Sequence, residues 1–252
     1  MDDLKSLVLE LEKETDHNDQ IRILQEINKK LLTEYCIKVG GIEIRPLRVE
    51  AYYFHPGKFE DSTVHGKPAQ REFKKLYRHN TKPENGDGGV DLCLAYSDKG
   101  LAPYFLSFLI KNSWVKTSDS EGFYCKQIEL NKILNKNGID DDKEVNLELR
   151  INNPEEDLTV FHTVRKGLSG KPFGREPLAS LIAINRKVET EDGSLKSIFD
   201  FAAGCGKEQI LAEYLWTHPD ENNEEYWEKW YGSKNGPTWQ KDIANLTEKL
   251  KG

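Results

Sequence analysis

The run LRVEAYYFHPGKFEDSTVH, residues 47–65, sets one acid among apolar and aromatic neighbours and then supplies an aspartate and two histidines. Read as a strand, its alternation places Glu50, Tyr52 and Phe54 on one face and Val49, Ala51 and Tyr53 on the other. A carboxylate beside aromatic rings has a specific chemical use. It can hold and deprotonate a water while a ring stacks on a planar substrate. The same pattern also fits an edge strand whose glutamate faces solvent, and spacing alone does not choose between the two.

The histidines nearby admit other chemistries. His55, Asp61, His65 and His79 fall in one loop-rich region. Their spacings match no compact zinc signature, and no helix there presents two histidines four residues apart. The expectation is therefore no metal site, with Asp61 orienting or capping beside the His65 imidazole. NGDGGVD, residues 85–91, is glycine-rich but carries neither the dinucleotide fingerprint nor the phosphate-loop pattern, and reads as a hairpin turn. No GxSxG occurs, and none of Cys36, Cys93, Cys125 or Cys205 has a local catalytic or CxxC signature. Widely spaced single cysteines fit a reducing, cytoplasmic setting better than a disulfide framework. The aromatic run YWEKWYGSKNGPTW, from residue 226, lies in acidic surroundings and reads as helix packing rather than a base-stacking platform.

Charge is unevenly distributed. The formal net charge is −7, which disfavours indiscriminate binding to nucleic acid. Yet residues 45–82 hold nine Lys/Arg against four Asp/Glu, and residues 158–188 hold six against one. Residues 119–157 and 189–252 are acidic, with five against eleven and seven against thirteen. Two basic islands that converge in space would form a phosphate-facing surface; apart, they are merely solvated faces.

The elements that must position these groups follow from periodicity. Leu4, Leu7 and Leu11, then Ile23, Leu24, Ile27 and Leu31, recur at helical spacing, and TDHND between them predicts two helices with Asp16 or Asn18 as a cap. EYCIKVGGIEIRPLRVEAYYF reads as two strands about a tight Gly-Gly turn. VDLCLAY, YFLSFLIKNSWV, VNLELRI and LASLIAINR are further strands, and CKQIELNKILNKNGI a short helix with a glycine stop. The tail from residue 194 reads as mostly helical and holds four of the five tryptophans. The expected class is α+β: one main domain with a curved, mostly antiparallel sheet over residues 28–188. A helical extension over 1–27 and an acidic helical one over 189–252 complete it. No apolar run of about eighteen residues predicts a spanning helix, and the N-terminus lacks the basic-then-apolar order of a signal peptide.

The residues quoted first also carry a family resemblance. VEAYYF…FEDSTVH resembles the E-A-Y…D-x-x-x-H core of the alkyladenine (methylpurine, 3-methyladenine) DNA glycosylases. Segments around it follow in that family's order over roughly residues 28–188. KLYRHN is similar to its second aromatic wall, GGVDLCLA and FLSFLIKNSWV to its paired central strands, and VRKGLSGKPFGREPLASLIAI to its Arg-x-Gly loop and last core strand. The resemblance implies base-excision repair of double-stranded DNA. A damaged purine is flipped out and its N-glycosidic bond hydrolysed by a water that Glu50 activates, without metal or cofactor. It makes Tyr52 a stacking ring, His65 a neighbour that hydrogen-bonds or stacks, and His79 the counterpart of a second stacking tyrosine. Lys111 stands where the family has an arginine toward the backbone, and Arg165 and Lys166 would touch phosphates. Three departures bear on substrate choice, the first being the histidine at 79 in place of a stacking tyrosine. NTKPENGDGG offers no tyrosine wedge, and Ala95 replaces the family's asparagine. Two other readings stay open: a nucleic-acid or nucleotide binding module without catalysis, and a protein that docks partners through its tryptophan-rich tail.

Overall fold

The computed structural model describes residues 2–79, 88–149, 159–163, 165, 173, 176–183, 187–189, 195–197 and 247–251. Helix α1 (Asp2–Lys13) and helix α2 (His17–Thr33) open the chain. Asp16 stops the first from running into the second. Its carboxylate accepts hydrogen bonds from the backbone N–H groups of Asn18 and Asp19 at 2.9 and 3.0 Å, satisfying donors that a helix start leaves unpaired. Leu4, Val8, Leu11, Ile23, Leu24, Ile27 and Leu31 are all buried and belong to the same core as the sheet. Each contributes about 1.5–3 kcal/mol by leaving water.

Strand β1 (Tyr35–Val39) turns into the 14-residue β2 (Ile42–His55) through Gly40 and Gly41, with φ of +52° and +79°. Two consecutive residues in the left-handed region are what a two-residue hairpin requires, and glycine occupies it without steric cost. β2 is the spine of a ten-stranded sheet that curls into a half-barrel, in which every pairing among the described residues is antiparallel. One edge of β2 pairs along its length with β6 (Phe105–Lys116). The other edge takes three partners in turn: β1, then β10 (Ala179–Ala183), then the two-residue β3 (Phe59–Glu60). Beyond β6 lie β5 (Val90–Leu94) and β4 (Phe73–Arg78); β7 (Phe123–Lys126) pairs the far end of β6. Beyond β1 lies β8 (Asn146–Leu149), and beyond β10 lies β9 (Thr159–Thr163).

Pleating gives this sheet two faces. Ala51, Tyr53, Leu76, Leu92, Leu94, Leu106, Phe108 and Ile110 join the two N-terminal helices, and Leu130 and Leu134 of helix α3 (Gln127–Lys136), in one hydrophobic cluster. The alternate residues, Glu50, Tyr52, Asp91, Cys93, Ser107 and Leu109, share the opposite face, as the cross-strand partners show. The fold class expected from sequence is the one observed, with α1 and α2 as part of the single core.

Some local expectations change. Cys125 and Lys126 extend β7 instead of starting the helix, because they pair with Ser113 and Asn112. The segment after His55 contains β3 and a 3-10 turn at Pro68–Arg71 rather than loop alone. Strand β12 (Leu195–Ser197) pairs with β11 (Lys187–Glu189) where helix was expected. Cross-strand pairing overrides local helical bias at both places. Most of the tryptophan-rich tail lies outside the described residues.

Two histidines at the edges of this architecture give stability a pH dependence. His55 stacks on Tyr104 at 5.7 Å, and His162 meets the Ser180 hydroxyl at 2.8 Å. Burial holds both imidazoles below their ordinary pKa. A histidine depressed in the folded state binds fewer protons than the same group unfolded. Its stability contribution is therefore complete above the unfolded value of about 6.5 and is lost as pH falls toward the folded value. Thermal denaturation followed by circular dichroism should show the midpoint falling between pH 7.5 and 5.5, with a shallower slope in His162→Gln.

Candidate functional site

The polar face of the sheet is built around Glu50, in the middle of β2. It is 1% exposed. One carboxylate oxygen accepts from Arg48 Nη2 at 2.9 Å and the other from the Tyr52 hydroxyl at 3.1 Å. All three side chains fall on one face because they are two residues apart along an extended strand. Burial, reinforced by the Glu50 carboxylate, pushes the Tyr52 phenol well above its usual pKa, so Tyr52 is a neutral donor.

Arg165 completes this half of the site from below. Its guanidinium lies 4.6 Å from the Tyr52 ring centroid and is fully buried. Nη1 donates to Asp61 Oδ2 at 2.6 Å and to the Ala51 carbonyl at 3.0 Å, and Nη2 donates to the Phe173 carbonyl at 3.3 Å. Asp61 also accepts from the backbone N–H of Thr63 at 3.1 Å, so the loop after β3 is pinned to the sheet by one ion pair. Arg165 thus has a place other than the phosphate contact expected from sequence: a guanidinium with no exposed surface here braces a ring and a loop. Asp61, expected to act beside His65, engages Arg165 instead.

A second polar cluster occupies the neighbouring strands. His79 Nε2 lies 2.9 Å from Asp91 Oδ1, and Asp91 is 2% exposed. The other Asp91 oxygen accepts from the Ser107 hydroxyl at 2.7 Å, and Gln70 Nε2 donates to that hydroxyl oxygen at 2.8 Å. The His79 ring packs against His65 at 4.2 Å and Tyr77 at 4.8 Å, while His65 Nδ1 meets the Tyr77 hydroxyl at 3.1 Å. His65 is exposed at the border of the face. Gly89 explains itself here. A Cβ built there would stand 2.7 Å from Leu109 Cδ1 and 3.4 Å from His79 Nδ1, so a larger residue would crowd the imidazole.

Register connects the two clusters. Asp91 pairs with Leu109, which pairs with Glu50. Cys93, Ser107 and Tyr52 form the adjacent row. The strands carrying Glu50 and Asp91 are thus two spacings apart, about 10 Å, with Leu109 between them.

No protein-family model and no curated protein matches this chain.

The kinship expected from sequence therefore rests on the sequence motif alone. Glu50, Tyr52 and Asp91-bound His79 share one face, with His65 at its border. Lys111 follows Ile110 on β6 as the extra residue of a β-bulge, since Ile110 pairs with Val49 and Asn112 with Arg48. A bulge re-aims a side chain, and bulges gather beside active sites. Lys166 lies outside the described residues. The basic islands do not act as two whole surfaces. Arg48 and Arg78 of the first are buried, Arg78 bonding Asn131 Oδ1 and the Ile139 carbonyl, and much of the second lies outside the described residues. Among the described residues no group of three or more His, Cys, Asp or Glu is placed to hold a metal. A cleft of about 500 Å³ elsewhere is lined by Lys38, Glu43, Lys116 and Glu148. There Lys38 and Glu148 neutralise each other at 2.7 Å.

Sequence reasoning missed Arg48, Gln70, Asp91 and Ser107. Asp91 carried the same signal as Glu50, a lone acid inside the apolar run VDLCL. Gln70 carried none, because only the 3-10 turn brings it over β5 and β6.

Proposed function

We propose that this protein is a DNA base-excision N-glycosylase, hydrolysing the N-glycosidic bond of a flipped, alkylated purine in double-stranded DNA. Glu50 deprotonates the attacking water, Tyr52 stacks on the extruded base, and His65 and His79 form the opposing wall. Lys111 contacts the backbone, and the reaction takes place in the cytoplasm without metal or cofactor. The observation that carries the reading is the Glu50–Tyr52 pairing on the sheet face opposite the core. An acid there, hydrogen-bonded by a neutral phenol, with two imidazoles farther along the same face, is suited to water activation beside a planar ring. Arg48 Nη2 at 2.9 Å fixes the position of the carboxylate. Among the described residues no helix is long and apolar enough to cross a membrane, and Cys36, Cys93 and Cys125 are buried.

Glu50→Gln tests it. Losing a general base costs about 10²–10⁴-fold, so base release from methylated duplex DNA should fall by that factor while DNA binding and the circular dichroism spectrum persist. Wild-type protein that frees no base would sink the hydrolase.

One observation favours a second reading, binding without catalysis. Both Glu50 oxygens are already engaged and 1% of the residue is exposed, as suits a structural carboxylate. In that case duplex binding is salt-sensitive and weakens in Lys111→Ala, whereas Glu50→Gln changes no reaction.

A further inference from the structure

The sequence places residues 247–251 in an acidic extension, and the fold brings them to the border of the polar face. They form a helical turn. The last carbonyls of a helix have no partner within it, and here Arg71 supplies one. Its Nη1 donates to the Lys249 carbonyl at 3.3 Å and its Nη2 to the Leu250 carbonyl at 3.2 Å. Arg71 is itself a fixed bracket. Its Nε donates to the Ala102 carbonyl at 2.8 Å, and its own carbonyl accepts from the Ala102 N–H at 2.9 Å. The 3-10 segment that ends at Arg71 is tied to Ser107 on β6 through Gln70.

From that bracket the turn reaches two places on the polar face. Leu250 packs against the apolar cluster of Phe54, Val64 and Phe105, and the Tyr52 ring borders the same cluster. Lys249 Nζ donates to the His65 carbonyl at 3.1 Å, across 184 residues of sequence. Val64 and His65 are thus gripped at consecutive positions, one by its side chain and one by its backbone. The local chain holds them on one side only. Before them the Asp61 carbonyl accepts from the Val64 N–H at 3.3 Å. After them Gly66 has φ of +65°, which glycine adopts without steric cost and which fixes little. The direction of the His65 ring therefore depends on what holds its carbonyl, together with the Tyr77 hydroxyl 3.1 Å from Nδ1.

We infer that the C-terminal turn is a positioning element of the site: Lys249 and Leu250 hold the His65 imidazole at the border of the face that carries Tyr52. The inference rests on the N-glycosidic hydrolase reading, in which those two rings enclose the flipped base. It adds two residues that touch neither the base nor the reacting atoms. A turn that only covered the apolar cluster would need Leu250 alone. Lys249 engages the next residue of the loop, so both rings answer to the same turn, Tyr52 through the shared cluster and His65 directly. The charged and titratable groups around His65 are His79 and Tyr77 from β4 and its end, Asp91 on β5, Lys67 in its own loop and Lys249 in the turn. Desolvation, then the neighbouring His79, hold the His65 imidazole below its ordinary pKa; Asp91 opposes them, and Lys67 and Lys249 add to the depression. Moving the Lys249 ammonium away therefore raises the midpoint.

The test uses the full chain with three substitutions. Leu250→Ser loosens the turn from the apolar cluster, Lys249→Met removes the ammonium, and Lys249→Arg keeps a donor and a charge. Leu250 is half-buried on a surface turn, so its replacement leaves the circular dichroism spectrum unchanged. Imidazole NMR should show the His65 midpoint raised in Leu250→Ser and Lys249→Met and close to wild type in Lys249→Arg. Single-turnover base release from methylated duplex DNA should fall in the first two by up to about 10²-fold, which is what a misplacement of about 1 Å can cost. Lys249→Arg should restore it, and Leu250→Ser should bind the duplex as wild type does. A His65 midpoint unmoved in both variants overturns the inference, and so does a moved midpoint with base release unimpaired; in either case Glu50 stays the base. Wild-type protein that frees no base overturns the hydrolase, and the His65 midpoint then decides the role of the turn alone.

Discussion

Arg165→Ala lowers the free energy of unfolding by about 3–5 kcal/mol, the usual cost of breaking a buried ion pair from one side. The magnitude comes from what is left behind. Asp61 and Arg165 are both 0% exposed and 2.6 Å apart. With the guanidinium gone, Asp61 is an unneutralised charge in a dry site, the Ala51 and Phe173 carbonyls lose a donor, and Tyr52 loses its cation–π partner. Urea denaturation at neutral pH measures the loss. The double variant Asp61→Leu/Arg165→Met should recover at least half of it, because apolar residues of similar volume replace a buried pair at little cost. A loss under about 1 kcal/mol for Arg165→Ala would mean that the loop after β3 is held by something else.

The same pair explains why the site was only partly legible. The sequence of β2 displays its alternation openly, so the face shared by Glu50 and Tyr52 follows from spacing and the strand forms as expected. Helix α2 announces its own start through Asp16, and the β1–β2 hairpin announces its turn through two glycines. These are local signals, settled within a few residues. Asp61 and Arg165 are 104 residues apart in sequence and Gln70 and Ser107 are 37. Pairings at such separations depend on strand order, which periodicity does not encode. Arg165 was legible as a cation but not as a buried one. A basic loop rich in glycine reads as solvent-facing until a partner carboxylate is placed beneath it.

Asp91 teaches a related lesson. A lone acid in an apolar strand marks a face that something polar must occupy, because burying an unpaired carboxylate is costly. Glu50 and Asp91 both fit that description, and both found partners on the same face: Arg48 and Tyr52 for one, His79 and Ser107 for the other. Treating such acids as pairs rather than singly would have joined the two clusters from sequence.

Phe59→Ala should be nearly as damaging as Arg165→Ala, at about 3–5 kcal/mol, and the two losses should not add. Phe59 is 0% exposed and stacks on Phe173 at 4.4 Å, on His17 at 5.2 Å and against Tyr53 at 5.3 Å. It therefore ties the start of α2 to the core face of β2 and to the segment that follows Arg165. Phe173 has φ of +68°, a left-handed backbone that a bulky L-residue adopts at a cost of about 1–3 kcal/mol when its surroundings compel it. Two contacts oppose its relaxation: the Phe59 stack and the hydrogen bond from Arg165 to its carbonyl. Removing either lets Phe173 relax and weakens the other. A double-mutant cycle over Phe59→Ala and Arg165→Ala, read by urea denaturation, should give a coupling of about 0.5–3 kcal/mol. Phe173→Gly should relieve the backbone strain yet forfeit the stack, and so fall short of either single loss. Additive losses within about 0.5 kcal/mol would show that Phe173 does not transmit between the core and the base of the site. Coupled losses would make the Tyr52 ring position depend on packing on the far side of the sheet, because Arg165 is the group that both Phe173 and Tyr52 touch.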